Sequence, residues 1–213
     1  MHISEGVLSG PVLVSGMILA AAGTTVGLKR LDYDKVPRAG ILSAAFFVAS
    51  LIHVPVGPSS VHLILNGIVG LLLGWGAFPA LLVALILQAL FFQFGGLTTL
   101  GVNTVIMAAP AIICYSLFGR AVHGATRKAF AAAFACGFLA VFFSALLAAL
   151  SLIGTEEKFF KVSVLLLTAH LPVMIIEGIV TAFCVAFLKK VQPGMFARPG
   201  MTDPVRGEKG GGK

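Results

Sequence analysis

The sequence begins with a residue pair that can chelate a divalent metal ion, Met1 followed directly by His2. The α-amine, the main-chain nitrogen of His2 and its imidazole can close a five-membered and a six-membered ring on one ion. A fourth nitrogen in their plane would complete the square-planar field that Ni(II) and Cu(II) favour. His62 is the candidate for that position. A histidine near a chain end usually has no function, so the interpretation needs support from the rest of the chain.

His62 lies in a short stretch, residues 53–67, that separates two apolar runs. The proline and two serines at 58–60 predict a helix start, with His62 in the first turn. The positive end of the helix dipole would then keep the imidazole neutral and able to bind metal. Asn66, four residues later, would face the same way and orient His62. His53 is the competing ligand, and we expect it to support the site instead of binding the ion.

Two polar side chains lie inside the last apolar run, where an ionisable group is costly and indicates function. Glu177 is near its middle, and His170 stands two helical turns earlier, with Pro172 expected to kink the helix between them. We expect Glu177 to support the site by hydrogen bonds, because four nitrogens leave no vacancy for a carboxylate in the plane. The alternative is an intramembrane enzyme or proton-coupled carrier in which Glu177 and His170 form the active pair.

A glycine-rich polar loop, residues 93–104, connects two further apolar runs. It could fold back over an outer pocket lined by Gln93 or Asn103, or it could be a plain connector. The pattern alone favours neither alternative.

Composition indicates an integral membrane protein, since 58% of the 213 residues are apolar, 11% are charged and the mean hydropathy is +1.03. The net charge of +7 does not indicate nucleic acid binding, because Lys and Arg cluster in loops between apolar runs. The sequence contains no GxxxxGK[ST], HExxH, GxSxG or helix-opening GxGxxG motif, so we predict no internal ATPase and no familiar hydrolase. Residues 1–6 lack the positive segment of a signal peptide, so Met1 is expected to remain first.

The elements that must position these groups are predicted membrane helices in an all-α polytopic fold. Thirteen of the 15 Lys and Arg residues fall on one side of seven spans, which predicts an outer N-terminus and a cytoplasmic C-terminus. Residues 1–190 would form the membrane domain and 191–213 a flexible tail. The small residues Gly16 and Ala20 in the first span could dock a partner or pack internally. The predicted spans are 8–28, 39–54, 60–74, 76–94, 102–119, 128–153 and 162–188.

Several blocks of the sequence resemble the CbiM/NikM family, the substrate-capturing (S) components of energy-coupling factor (ECF) type nickel and cobalt importers. The opening MHISEGVLS resembles the family start Met-His-Ile-x-(Asp/Glu)-Gly-(Phe/Val)-Leu. The other blocks are VGPSSVHL ending just after His62, GGLTTLGVN ending at Asn103, and LPVMIIEG containing Glu177. The resemblance covers residues 1–190. Phe94 stands before the glycines where relatives often carry a polar residue.

The resemblance implies a seven-helix capture subunit whose N-terminal segment inserts into the bundle from outside. Its ion would be bound by the nitrogens of Met1 and His2 together with His62. It also implies a second small membrane component, a coupling transmembrane subunit and cytoplasmic ATPases, all at a bacterial or archaeal inner membrane. The residues favour nickel as the substrate, because Ni(II) promotes loss of the His2 amide proton more readily than Co(II), but cobalt is also possible.

Overall fold

The computed structural model describes residues 2–51, 53–56 and 59–192, and at 53–56 and 59–61 it describes the backbone alone. Within this part of the chain there are eight α-helices and one β-hairpin, with single turns of 3-10 helix at Tyr33–Lys35, Gly74–Gly76 and Glu157–Phe159. In chain order the elements are α1 (Gly10–Arg30), α2 (Val36–Ala49), β1 (His53–Val56), β2 (Ser59–His62), α3 (Asn66–Leu73), α4 (Ala77–Phe92), α5 (Leu100–Val122), α6 (Thr126–Ile153), α7 (Phe160–Ala169) and α8 (Leu171–Val191).

Five helical stretches of the described chain are long and apolar enough to cross a bilayer. Helices α1, α5 and α6 each form one, α3 and α4 together form Asn66–Phe92, and α7 and α8 lie within Glu157–Val191. The protein is therefore a multi-pass helical membrane protein. Helix α2 has only 14 residues, fewer than the roughly 20 that a span needs. Seven crossings and the orientation of the bundle stay predictions.

The predicted helix start at the two serines is wrong. Residues 59–62 form strand β2, which pairs with β1 in an antiparallel register that sets His53 opposite His62. β-Branched valines favour extended backbone, and the Gly-Pro pair between the strands favours a turn. The helix begins later, at Asn66, directly after Leu65 in the left-handed conformation with a φ of 53°.

The predicted kink in the last segment is a break between two helices. Helix α7 ends at Ala169, His170 forms the junction, and Pro172 occupies the first turn of α8. Proline is accepted in a first turn because the N–H that it lacks would have no partner within the helix at that position. The His170 ring is fully buried, and its Nδ1 lies 2.7 Å from the carbonyl oxygen of Leu166.

Small residues let α1 pack closely against its neighbours. Gly16 and Ala20 are buried, and a Cβ at Gly16 would overlap Val102 of α5. Two turns after Gly16, a Cβ at Gly23 would lie 2.5 Å from the ring of Phe78 in α4. Close approach at small residues is how helices associate in lipid. Of the two alternatives for the Gly16 face, internal packing is confirmed.

Helices α3, α6 and α8 cross at backbone contact distance. A Cβ on Gly67 of α3 would lie 2.8 Å from the Cα of Gly137 in α6, and one on Gly137 would lie 2.5 Å from the carbonyl oxygen of Glu177 in α8. These glycines allow the three helices to approach closely enough for Glu177 to reach the chain just before α3.

Candidate metal site

His2 and His62 lie side by side in the folded protein. Their ring centroids are 4.7 Å apart with 19° between the ring planes, and both residues are buried. When two imidazoles bind one ion at about 2.0 Å and at about 90° to each other, their ring centroids lie about 4.5 Å apart. When they bind on opposite sides of the ion, the centroids lie about 6 Å apart. The observed separation matches adjacent positions of one coordination plane.

The hydrogen bond of the His62 ring leaves one nitrogen available for a metal. Nδ1 lies 2.6 Å from the carbonyl oxygen of Leu63. A carbonyl can only accept, so Nδ1 carries the hydrogen and Nε2 keeps its lone pair. Nε2 is buried and makes no hydrogen bond with the described residues. Burial, and the His2 ring beside it, hold the pKa of His62 well below its usual value, so the ring is neutral at neutral pH.

Asn103 of α5 holds the N-terminal segment at Ile3, one residue after His2. Its side-chain Oδ1 accepts the main-chain N–H of Ile3 at 2.9 Å, and its Nδ2 donates to the Ile3 carbonyl at 3.1 Å. This reciprocal pair imitates one rung of a β-ladder, and the Ile3 side chain is fully buried. The pair fixes where the main chain of His2 lies.

A second attachment is made by Glu5 and the loop before α5. The Glu5 N–H donates to the Gly95 carbonyl at 3.0 Å, and its carboxylate accepts the N–H of Thr98 at 3.0 Å. That main-chain bond lowers the pKa of Glu5. Gly95 and Gly96 have φ values of 77° and 131°, which residues with a side chain rarely adopt. A Cβ on Gly96 would also overlap Glu5. The loop therefore receives the N-terminal segment, and the sequence pattern did not reveal this role.

Replacing Asn103 with alanine is expected to weaken nickel binding about 10-fold. The change leaves the buried N–H and carbonyl of Ile3 without partners, so His2 loses its fixed position. The Thr104→Val variant is a matched control, because the Thr104 hydroxyl donates to the Leu100 carbonyl of its own helix at 2.7 Å and not to the N-terminal segment as far as residues 2–51 are described. Nickel titration of both purified variants measures the difference. Unchanged affinity in Asn103→Ala would show that this pair does not set the site.

Other residues expected near the site have different contacts. Asn66 does not share a helix with His62, so the argument that placed it beside the ring is wrong. Its Nδ2 donates to the Met107 carbonyl at 3.1 Å and to the Ser144 hydroxyl at 2.9 Å, and so ties α3 to α5 and α6. Met1 and the side chain of His53 lie outside the described residues.

Glu177 and His170 hydrogen-bond to main-chain atoms. The Glu177 carboxylate accepts the N–H groups of Ile64 and Leu65, the latter at 2.8 Å. His170 bonds within its own chain segment, to Leu166. The supporting role expected for Glu177 stays a prediction.

The described side chains do not form a larger cluster of metal ligands around His2 and His62. Within residues 2–51 and 62–192 there is no group of three or more His, Cys, Asp or Glu side chains that could hold a metal. Further donors to an ion at His2 and His62 would have to come from main-chain nitrogens, from Met1 or from the His53 side chain, and the last two lie outside the described residues. Phe94, which the sequence did not indicate as a contact, has its ring centroid 6.1 Å from that of His2 and 22° between the planes. It adds an apolar wall beside the imidazole.

The comparisons with known families, proteins and solved structures all indicate metal transport proteins. A family model described as CbiM, cobalt uptake substrate-specific transmembrane region, matches residues 2–195. Over 201 residues the chain is 43% identical to a Haemophilus influenzae protein named as a metal transport protein, covering 93% of this chain and 98% of that one. It is 31% identical over 225 residues to the fused nickel transport protein NikMN of Rhodobacter capsulatus, covering 92% of this chain and 64% of that longer protein.

A solved structure of a transition metal transporter has a TM-score of 0.73 to this chain at 27% identity, and the match covers 90% of this chain and 93% of the other. The family match extends over nearly the whole described chain, from His2 through α8. The chain therefore belongs to the CbiM family, the substrate-specific membrane components of cobalt and nickel transport.

Proposed function

We propose that this protein captures Ni(II) with four nitrogens: the Met1 amine, the main-chain nitrogen and imidazole of His2, and Nε2 of His62. The observation that carries the proposal is the 4.7 Å separation of the His2 and His62 rings, together with an Nε2 that a hydrogen bond on the opposite nitrogen leaves unprotonated. The Asn103 pair supports it, because it holds the His2 main chain at the same place.

Nickel is the proposed substrate because of the donor set. A chelate through a deprotonated amide needs an ion that polarises the amide strongly and accepts a square plane, and Ni(II) does both more readily than Co(II) or Zn(II). Zn(II) would require a tetrahedron, which nitrogens of one short chelate cannot supply. The relatives' names include both cobalt and nickel, so selectivity belongs to the test.

The cellular setting follows from the resemblance to ECF-type importers. The chain would work with a second small membrane component, a coupling transmembrane subunit and cytoplasmic ATPases in a bacterial or archaeal inner membrane. The sequence has no phosphate-binding GxxxxGK[ST] loop, which supports ATP hydrolysis by another subunit. The chain itself would act as a transport component and not as an enzyme.

Nickel titration at several pH values tests the proposal. Binding releases the amide proton at every pH, and a second proton from the amine below its ordinary pKa of about 8. The pKa of His62 is held low by burial, so this ring adds no third proton near neutrality. Affinity should therefore fall as the pH is lowered, by about 10-fold per unit down to pH 8 and by at least about 100-fold per unit between pH 7 and 6. A pH-independent affinity, or tighter binding of Zn(II) than of Ni(II), would contradict the four-nitrogen chelate.

A further inference from the structure

Glu177 is an acidic residue of α8 that is fully buried in the bundle. Its Oε1 accepts two main-chain N–H groups more than 100 positions earlier in the chain, those of Ile64 and Leu65. Burying a carboxylate among apolar helices is costly, and two converging N–H donors are the kind of contact that offsets the cost. The two donors belong to the turn between β2, which carries His62, and helix α3.

That turn needs an external partner. Leu65 has a φ of 53°, a left-handed conformation that is unfavourable for a leucine. Its N–H and that of Ile64 precede the first hydrogen bond of α3 and have no helical partner of their own. The Glu177 oxygen satisfies both donors, and so it keeps the turn in a conformation that a leucine would otherwise leave.

The same turn orients the candidate ligand. The carbonyl of Leu63 accepts the Nδ1 hydrogen of His62, which directs Nε2 away from the turn. An unbroken series of contacts therefore leads from the Glu177 carboxylate to the N–H groups of Ile64 and Leu65, and from the Leu63 carbonyl to the His62 ring.

We propose that Glu177 is a positioning residue that holds the His62 ring ready for metal through the main chain of residues 63–65. This role requires the length of the Glu177 side chain and not its negative charge. The proposal rests on the proposed function. The two donors share one oxygen, and the other oxygen, Oε2, makes no hydrogen bond with the described residues. A glutamine can supply the same acceptor with an uncharged group. An aspartate keeps the charge but is one methylene too short.

The test compares Glu177→Gln with Glu177→Asp in the full-length protein, using Ni(II) as the probe. Glu177→Gln should bind nickel within about 3-fold of the wild type, whereas Glu177→Asp should lose about 10-fold or more, the usual effect of losing a group that orients a metal ligand. In Glu177→Asp the visible absorption of bound nickel should also shift to longer wavelength, because water replaces the His62 nitrogen. A merely structural defect would not move this band.

Thr181→Val is the matched control. Thr181 lies one turn after Glu177 in α8 and is equally buried, and valine has nearly the same shape as threonine. It should leave both affinity and spectrum unchanged. Loss of binding in Glu177→Gln, normal binding in Glu177→Asp, or an equal loss in Thr181→Val would each overturn the positioning role. These results differ from failure of the proposed function, in which the wild type itself would show no tight nickel binding.

Discussion

Nickel binding is expected to disappear when a carrier domain is fused in front of Met1. The fusion converts the amine into an amide, so the proposed chelate loses a nitrogen while His2, His62 and Asn103 all remain. A four-ligand metal site is worth about 10–16 kcal/mol, or about 3 kcal/mol for each ligand. Loss of the amine should therefore weaken binding at least about 100-fold, and the added chain before His2 would increase the loss.

Titration with Ni(II) before and after removal of the carrier measures this effect, provided that the protease leaves Met1 as the first residue. Removal should restore binding in the same sample, and the same carrier after Lys213 should have no effect. Binding that survives the N-terminal fusion would show that the amine is not a ligand.

A single residue inserted between Met1 and His2 gives a different result. It creates an amine, two amides and an imidazole at the third position, which together supply four nitrogens to one ion. That variant should still bind nickel, but without any contribution from His62. Loss of dependence on His62 after the insertion would support the order of ligands proposed for the native chain.

The second large effect is expected for His62→Ala. The change removes the nitrogen that is proposed to complete the plane, and it should weaken nickel binding about 100-fold. The ring is buried beside His2 and its Nε2 makes no hydrogen bond with the described residues, so the loss should concern metal more than folding. Absorption of the remaining complex should shift to longer wavelength because water takes the vacant position.

His123→Ala is the control for this variant. His123 lies at the end of α5, whereas the residue that holds the N-terminal segment, Asn103, lies in the first turn of that 23-residue helix. Its replacement should leave nickel affinity unchanged. Equal effects of the two substitutions, or normal affinity in His62→Ala, would remove His62 from the ligand set.

Hydropathy alone predicted most helices of the bundle. The runs at 8–28, 102–119 and 128–153 correspond to α1, α5 and α6, because each is a long apolar stretch between polar loops. The prediction failed at residues 59–62, where a local helix-start pattern was overridden by pairing with β1. Such pairing depends on a second strand and cannot be derived from a capping pattern.

The candidate site was predicted in part. His2 and His62 were expected to meet because both lie on the predicted outer side, and their rings are neighbours in the structure. Their role as metal ligands stays a prediction. The contacts that hold them could not be derived from sequence, because Asn103 bonds to the main chain of Ile3 and Glu177 bonds to the main chain of the 63–65 turn. A main-chain group carries no residue-specific signal at such separations.

The predicted tail at 191–213 lies almost entirely outside the described residues, so its independence from the membrane domain stays a prediction. The alternative function also stays a hypothesis. The hydrogen bonds that Glu177 and His170 make to main-chain atoms do not join the two side chains into one reactive pair.

The shortness of α2 has a consequence for how an ion arrives. Its 14 residues rise about 21 Å, whereas the hydrocarbon layer is about 30 Å thick. The hairpin that follows pairs its own main-chain groups, as backbone must where lipid replaces water. In the predicted orientation α2 starts at the cytoplasmic surface, so the proposed site would lie below the outer headgroups, and a hydrated cation would have to shed its water shell at that depth.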